Sequence, residues 1–214
     1  MRLYDYGPSQ NCFKVRLLAA HLGLQLERVP VALFRGEGQS PEFLAKNPMG
    51  SVPVLETGPG HYLPESNAIL TFLAEGTPYL PESGTARADV MRWLFFEQVY
   101  VQTSIALLRY WTLTGKLERY AAAVPPRRAL GERVLRALES ALTARPFIAG
   151  EAYAIADISL YAYSHLAAEA GFDLGGLPAL RAWCSRVREQ AGFAGQVIPY
   201  SSDPASASRL PLAG

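Results

Sequence analysis

The sequence predicts an α/β domain followed by an all-helical one. Three observations predict it. Short strand-like runs alternate with amphipathic segments as far as Glu75, the stretch Gly76 to Gly84 is marked by proline and glycine, and beyond it only helical spacing survives. The order βαβαββα gives a first domain at 1–77 and a helical bundle at 85–196. A tail at 197–214 lacks periodicity and reads as extended. Half of the 214 residues are apolar and 18% are charged, which suffices for two modest cores.

Each element has a local reason. Arg2 to Asp5 is a short strand, and Gly7-Pro8-Ser9 a turn in which Ser9 or Asn11 can cap the next helix. Val15, Leu17, Leu18 and Leu22 recur at helical spacing until Gly23 stops them. Glu27 to Ala32 alternates as a second strand. Arg35 to Ser40 is a polar, glycine-rich loop, and Ser40-Pro41-Glu42 opens a short helix. Val52 to Leu55 is a third strand that pairs with His61 to Leu63 across Gly58-Pro59-Gly60. Glu65 to Glu75 is helical. Arg87 to Leu113 reads as one long helix with a stripe of Val90, Leu94, Val101, Ile105 and Leu108. Further helices run from Pro125, from Ile155 to Ala170, and from Pro178 to Gln190.

Charge and composition exclude several functions. Twenty basic side chains face nineteen acidic ones, and neither domain holds the cationic excess that nucleic-acid binding needs. Arg127, Arg128, Arg133 and Arg136 are interleaved with Glu132 and Glu139 and read as a solvated helix face. Two cysteines without a C-x-x-C pair and three scattered histidines offer neither a disulfide framework nor zinc spacing, so no metal is expected. No apolar run approaches ~18 residues, and the first residues lack the apolar core of a signal peptide. The expectation is a cytoplasmic protein with no nucleic-acid or membrane partner.

Three places can carry chemistry. At the first strand-to-helix junction, Ser9-Gln10-Asn11-Cys12, unpaired N–H groups and the helix dipole favour a thiolate, either that of Cys12 or one brought by a ligand, and Ser9 can hydrogen-bond it. The plainer alternative is a turn serine and a packed cysteine. Val52-Pro53 at a strand start could be cis, which would turn the Val52 N–H and C=O toward a peptide ligand; the alternative is an ordinary trans edge proline. Glu65-Ser66 at a helix start suits an ammonium and a carboxylate, the two charges of an α-amino acid head group; the alternative is a simple cap.

Taken together, S-x-N-C-x-K-V-R, S-P-E-F-L-A-K-N-P-M-G-S-V-P-V-L and L-x-E-S-N-A-I-L resemble the soluble glutathione transferase family in order and spacing, and the likeness covers the chain to about residue 195. Ala154-Ile155-Ala156-Asp157 resembles that family's buried capping motif, with alanine in place of the hydroxyl residue. The resemblance implies a thioredoxin-like first domain, an all-α second domain and a homodimer. It implies glutathione as co-substrate and thiol transfer to an electrophilic small molecule, a detoxification chemistry. Glutathione would pair its cysteinyl backbone with Val52 ahead of Pro53, its γ-glutamyl end with Glu65 and Ser66, and its thiol with Ser9, helped by Asn11. Serine ranks first as the thiol partner, Cys12 second and Tyr6 third. Where relatives carry a basic pair for the glycyl carboxylate, this chain has Gly38-Gln39, leaving Gln39 or Arg35 to serve. Tyr100, Tyr110 and Trp111 would line the second-substrate pocket, unless they serve core or subunit packing. Two other readings stay open: a disulfide or thiol oxidoreductase using Cys12, and a non-catalytic glutathione-binding module.

Overall fold

The computed structural model describes residues 1–207. The described residues form two units, one holding 1–73 together with 194–207, the other Ala74–Phe193. Residues 208–214 of the expected tail lie outside the described residues.

The first unit contains β1 (Arg2–Asp5), α1 (Gln10–His21), β2 (Glu27–Pro30), α2 (Pro41–Leu44), β3 (Val54–Gly58), β4 (His61–Pro64) and α3 (Ser66–Ala74). The sheet order is β2-β1-β3-β4. β1 runs parallel to β2, with Arg2 opposite Glu27, and antiparallel to β3, with Leu3 opposite Leu55. The parallel pair needs a crossover, and α1 supplies it. The result is the mixed sheet that the order of elements predicts, in the thioredoxin-like form that the family resemblance implies. Leu3, Phe13, Val15, Leu17, Leu18, Val54, Leu55 and Ile69 are buried in its core. The Asp5 carboxylate, 2% exposed, is held by Arg16 at 2.5 Å and Arg28 at 2.6 Å, so its burial is compensated.

The second unit is all helical: α4 (Gly84–Phe96), α5 (Leu107–Leu113), α6 (Val124–Thr143), α7 (Ile155–Ser164) and α8 (Pro178–Arg188). The stripe Val90, Leu94, Val101, Ile105 and Leu108 is buried as predicted. The single α-helix expected from Arg87 to Leu113 is corrected: between α4 and α5, Glu97–Ala106 takes π-helical geometry. Hydroxyl and β-branched residues crowd this stretch, and both Thr103 and Ser104 turn back onto carbonyls four residues earlier, at 2.5 Å. The helix expected from Ile155 to Ala170 likewise ends at Ser164, and a separate 3-10 turn covers Ala167–Ala170.

The capping motif is half built. Asp157 is fully buried; its Oδ2 accepts the Ala154 N–H at 3.0 Å, and its Oδ1 accepts those of Ile148 and the Trp183 indole, each at 2.8 Å. Burial pushes this carboxyl up to about 6, against the three donors that favour its anion. Ala154 has no side-chain oxygen to return the bond. Glu139 is not the solvated residue the sequence suggests: its carboxylate accepts the N–H groups of Ala179 and Leu180 and so caps α8. Arg128 similarly reaches the carbonyls of Gly171 and Ala170.

The tail differs from expectation over its described part. It is not extended throughout, because short helical turns form at Tyr200–Ser202 and Pro204–Ala207. The Tyr200 ring packs on Tyr6 and Phe34, with centroids at 6.3 and 6.2 Å, and burying those rings accounts for the order.

Candidate functional site

The start of α1 is built as the sequence suggests. Ser9 is extended (φ −68°, ψ 123°) and caps the helix, its Oγ accepting the Cys12 N–H at 3.3 Å. That bond uses an oxygen lone pair and leaves the hydroxyl hydrogen to donate elsewhere. Ser9 and Asn11 are both part-exposed, so a ligand can reach the helix start.

Cys12 sits one turn in and is 0% exposed. Its Sγ accepts the Tyr6 N–H at 3.5 Å. The expectation that the helix start acidifies this thiol is corrected. Burial, reinforced by the Asp5 carboxylate, pushes it up to about 12, outweighing the Tyr6 N–H, Ser9 and Arg16. Tyr6 is also committed, since its hydroxyl donates to Asp203 at 2.9 Å.

The Val52–Pro53 peptide bond is cis. The loop before it is organised by Asn47, a residue the sequence reading passed over. Asn47 is 2% exposed; its amide donates to the Ser51 carbonyl at 2.8 Å and to its hydroxyl at 3.1 Å, while its oxygen takes the Met49 N–H. Ahead of that loop, Gly38 and Gly50 approach closely. An added Cβ on Gly38 would lie 2.4 Å from the Gly50 carbonyl oxygen, and one on Gly50 2.3 Å from Gln39 Nε2. The Gln39 amide therefore lies over the turn that leads to Val52, whereas Arg35 is exposed at the end of a short helical turn.

Glu65 has φ +72°, which makes it the non-glycine residue held in the left-handed region among the described residues. A side chain pays about 1–2 kcal/mol to sit there, and such outliers gather where the backbone serves a ligand. Glu65 is exposed, and Ser66 beside it is 4% exposed at the first turn of α3. The Ser66 Oγ accepts from Lys14 Nζ at 3.3 Å, and Lys14 on α1 is itself 0% exposed. The sequence carries a signal for this burial: Lys14 falls three and four residues before Leu17 and Leu18, on a buried face.

The three rings expected around a second pocket have different neighbours. Trp111 is 5% exposed and stacks on Tyr120 at 4.5 Å, which is core packing. The Tyr110 hydroxyl accepts from Lys116 at 2.7 Å. Tyr100 is 43% exposed and lines a cleft of about 560 Å³ with Phe96, Leu130 and Val134. Among the described residues no cluster of histidine, cysteine and acidic side chains could hold a metal, and no helix is long and apolar enough to cross a membrane.

Both units of the chain are similar to known proteins. Residues 1–75 match the glutathione S-transferase N-terminal domain and residues 105–191 the corresponding C-terminal domain. A glutathione S-transferase from Pseudomonas fluorescens Pf-5 superposes with a TM-score of 0.87 and is 41% identical, over 90% of this chain and 96% of that one. The glutathione S-transferase-like protein LUC7 of a Fusarium species is 30% identical over 174 residues, 77% of this chain and 78% of its own length. Elongation factor 1-gamma of Artemia salina is 28% identical over 79% of this chain, which spans only 40% of that longer protein.

Proposed function

The chain belongs to the glutathione S-transferase family, and on that premise we propose that it binds glutathione along its first unit and activates the thiol for attack on an electrophilic small molecule. The observation that carries this reading is the Ser9 hydroxyl. Its oxygen accepts the Cys12 N–H, which leaves its hydrogen available to a ligand, at a helix start whose dipole favours an anion. The thiol proton leaves for solvent. The sulfur electron pair forms the new bond to carbon, and the leaving group departs with the pair it shared with that carbon. Asn11 adds a second donor. Val52, ahead of the cis peptide bond, pairs with the cysteinyl backbone, and Glu65 and Ser66 take the ammonium and carboxylate of the γ-glutamyl end. Gln39 donates to the glycyl carboxylate, which has no basic pair beside it.

Disulfide exchange through Cys12 is the weaker reading, because it needs a thiolate that burial opposes. Replacing Ser9 by alanine removes a hydrogen bond to a charged sulfur, worth about 1.5–3 kcal/mol, which is one to two units in the bound thiol's pKa. Transfer to an aryl halide should therefore fall ten- to hundred-fold in Ser9→Ala and persist in Cys12→Ala. The reverse pattern overturns the reading, and tight glutathione binding without turnover on any electrophile or disulfide would leave a binding module. For the second substrate, Tyr100 is the ring open to a ligand or a partner. We also propose a homodimer, supported by the exposed Phe95 and Val99 on the helical unit and Met49 and Phe72 on the first. Light scattering that gives one chain's mass at micromolar concentration defeats it.

A further inference from the structure

We propose that Lys14 is a positioning residue: from inside the core of the first unit it orients the Ser66 hydroxyl toward the α-carboxylate of the γ-glutamyl group and thereby sets the affinity for it. This rests on the reading of glutathione as the ligand. Lys14 lies on α1, Ser66 opens α3, and the ammonium reaches the Ser66 Oγ at 3.3 Å. An ammonium has only donors, so at this contact Ser66 can only accept. The serine hydrogen must then point away from Lys14. Serine is otherwise a rotor with several satisfactory partners. Here one lone pair is fixed by a charged donor, and the O–H that remains is polarised by it and becomes a better donor.

Burial makes the arrangement costly to build without a use. Lys14 is 0% exposed and Ser66 4% exposed, and an ammonium removed from water must be compensated by hydrogen bonds or opposite charge. A carboxylate at the start of α3 would meet the Ser66 O–H, the helix dipole and the field of the ammonium behind the serine. Glu65, in its left-handed conformation, stands beside it for the ammonium of the same head group. Lys14 thus acts through Ser66.

The experiment compares two ligands by calorimetry: glutathione, and the analogue in which the γ-glutamyl group lacks its α-carboxylate. In Lys14→Met the dissociation constant for glutathione should rise about tenfold, while that for the analogue stays within twofold of wild type. KM for glutathione should rise more than kcat falls. Ser66→Ala should show the same ligand selectivity, and the double variant should be no weaker than Ser66→Ala alone, because both changes remove one interaction. Lys14→Arg, which keeps a donor-only cation, should restore most of the affinity and covers the case in which Lys14→Met fails to fold. Equal weakening for both ligands, or additive effects of the two substitutions, overturns the proposal and makes Lys14 a packing residue. If wild-type protein does not bind glutathione at all, it is the underlying reading that fails.

Discussion

Replacing Ala154 by serine should stabilise the second unit, because the rest of the cap is already present. Ala154 is extended (φ −141°, ψ 172°), the conformation of a helix N-cap, and Asp157 three residues on already accepts the Ala154 N–H at 3.0 Å. The return bond is missing. The Asp157 N–H makes a bond of 2.9 Å to the Ala154 carbonyl, and a serine Oγ at 154 would offer it the acceptor that a complete reciprocal cap provides. Such a cap contributes about 0.5–2 kcal/mol over alanine. Position 154 is only 4% exposed, so desolvating the new hydroxyl takes back part of the gain. The expected net is about 1 kcal/mol, or roughly 2–4 °C in Tm for a chain of this length. Calorimetric melting of the wild type, Ala154→Ser and Asp157→Ala decides it. Asp157→Ala is the reference for a broken cap: it strands three buried N–H groups and should cost about 3–5 kcal/mol. A serine variant that melts at or below wild type, beside an aspartate variant that melts far lower, would refute the reasoning, since the oxygen would then have found no bond to make.

Two further outcomes follow from backbone strain and from a buried base. Glu65→Gly and Glu65→Ala should both weaken glutathione binding about tenfold or more, yet the glycine variant should be the more stable by about 1 kcal/mol, because only glycine escapes the penalty at φ +72°; equal melting temperatures would remove the claim of strain. His165, whose ring contacts the Tyr161 carbonyl and stacks on Tyr161, is pushed down to about 4, mainly by burial and further by Arg109 and Arg188. Its folded pKa lies below its unfolded one, so the neutral ring's contribution is complete above pH 6.5 and is lost as pH falls toward 4, up to about 3 kcal/mol. Asp157, raised to about 6, has the opposite sign over much of the same window, so the effect is read as the difference between wild type and His165→Gln in urea melts from pH 7 to 4. A difference that does not change with pH contradicts it.

Periodicity made the elements legible because each of them buries one face. Leu17 and Leu18 on α1, Val54 and Leu55 on β3, and the stripe from Val90 to Leu108 announce themselves by spacing, and all are buried. The cis bond at Pro53 was visible as a possibility because proline makes that isomer affordable. What escaped depends on partners distant in sequence. Glu139 caps a helix that starts 39 residues later, at Pro178, and Tyr200 packs beside Phe34. Cys12 differs from expectation for a related reason. Its position in the helix is clear from spacing, but burial and Asp5 raise its proton affinity more than Tyr6, Ser9 and Arg16 lower it. The π-helical turns had no periodic signature to betray them, since the stripe remains buried on both sides of them.

The facing pair Gly38 and Gly50 has a consequence for anyone redesigning this protein. A single exchange at 38 that reintroduces a basic side chain would drive its first carbon into a backbone oxygen of the neighbouring turn, which cannot swing aside as a long flexible chain would. The two turns would have to be rebuilt as one piece, and the second of them leads directly to Val52. Grafting a positive charge is therefore simpler at Gln39, whose amide already overhangs that turn, than at its neighbour.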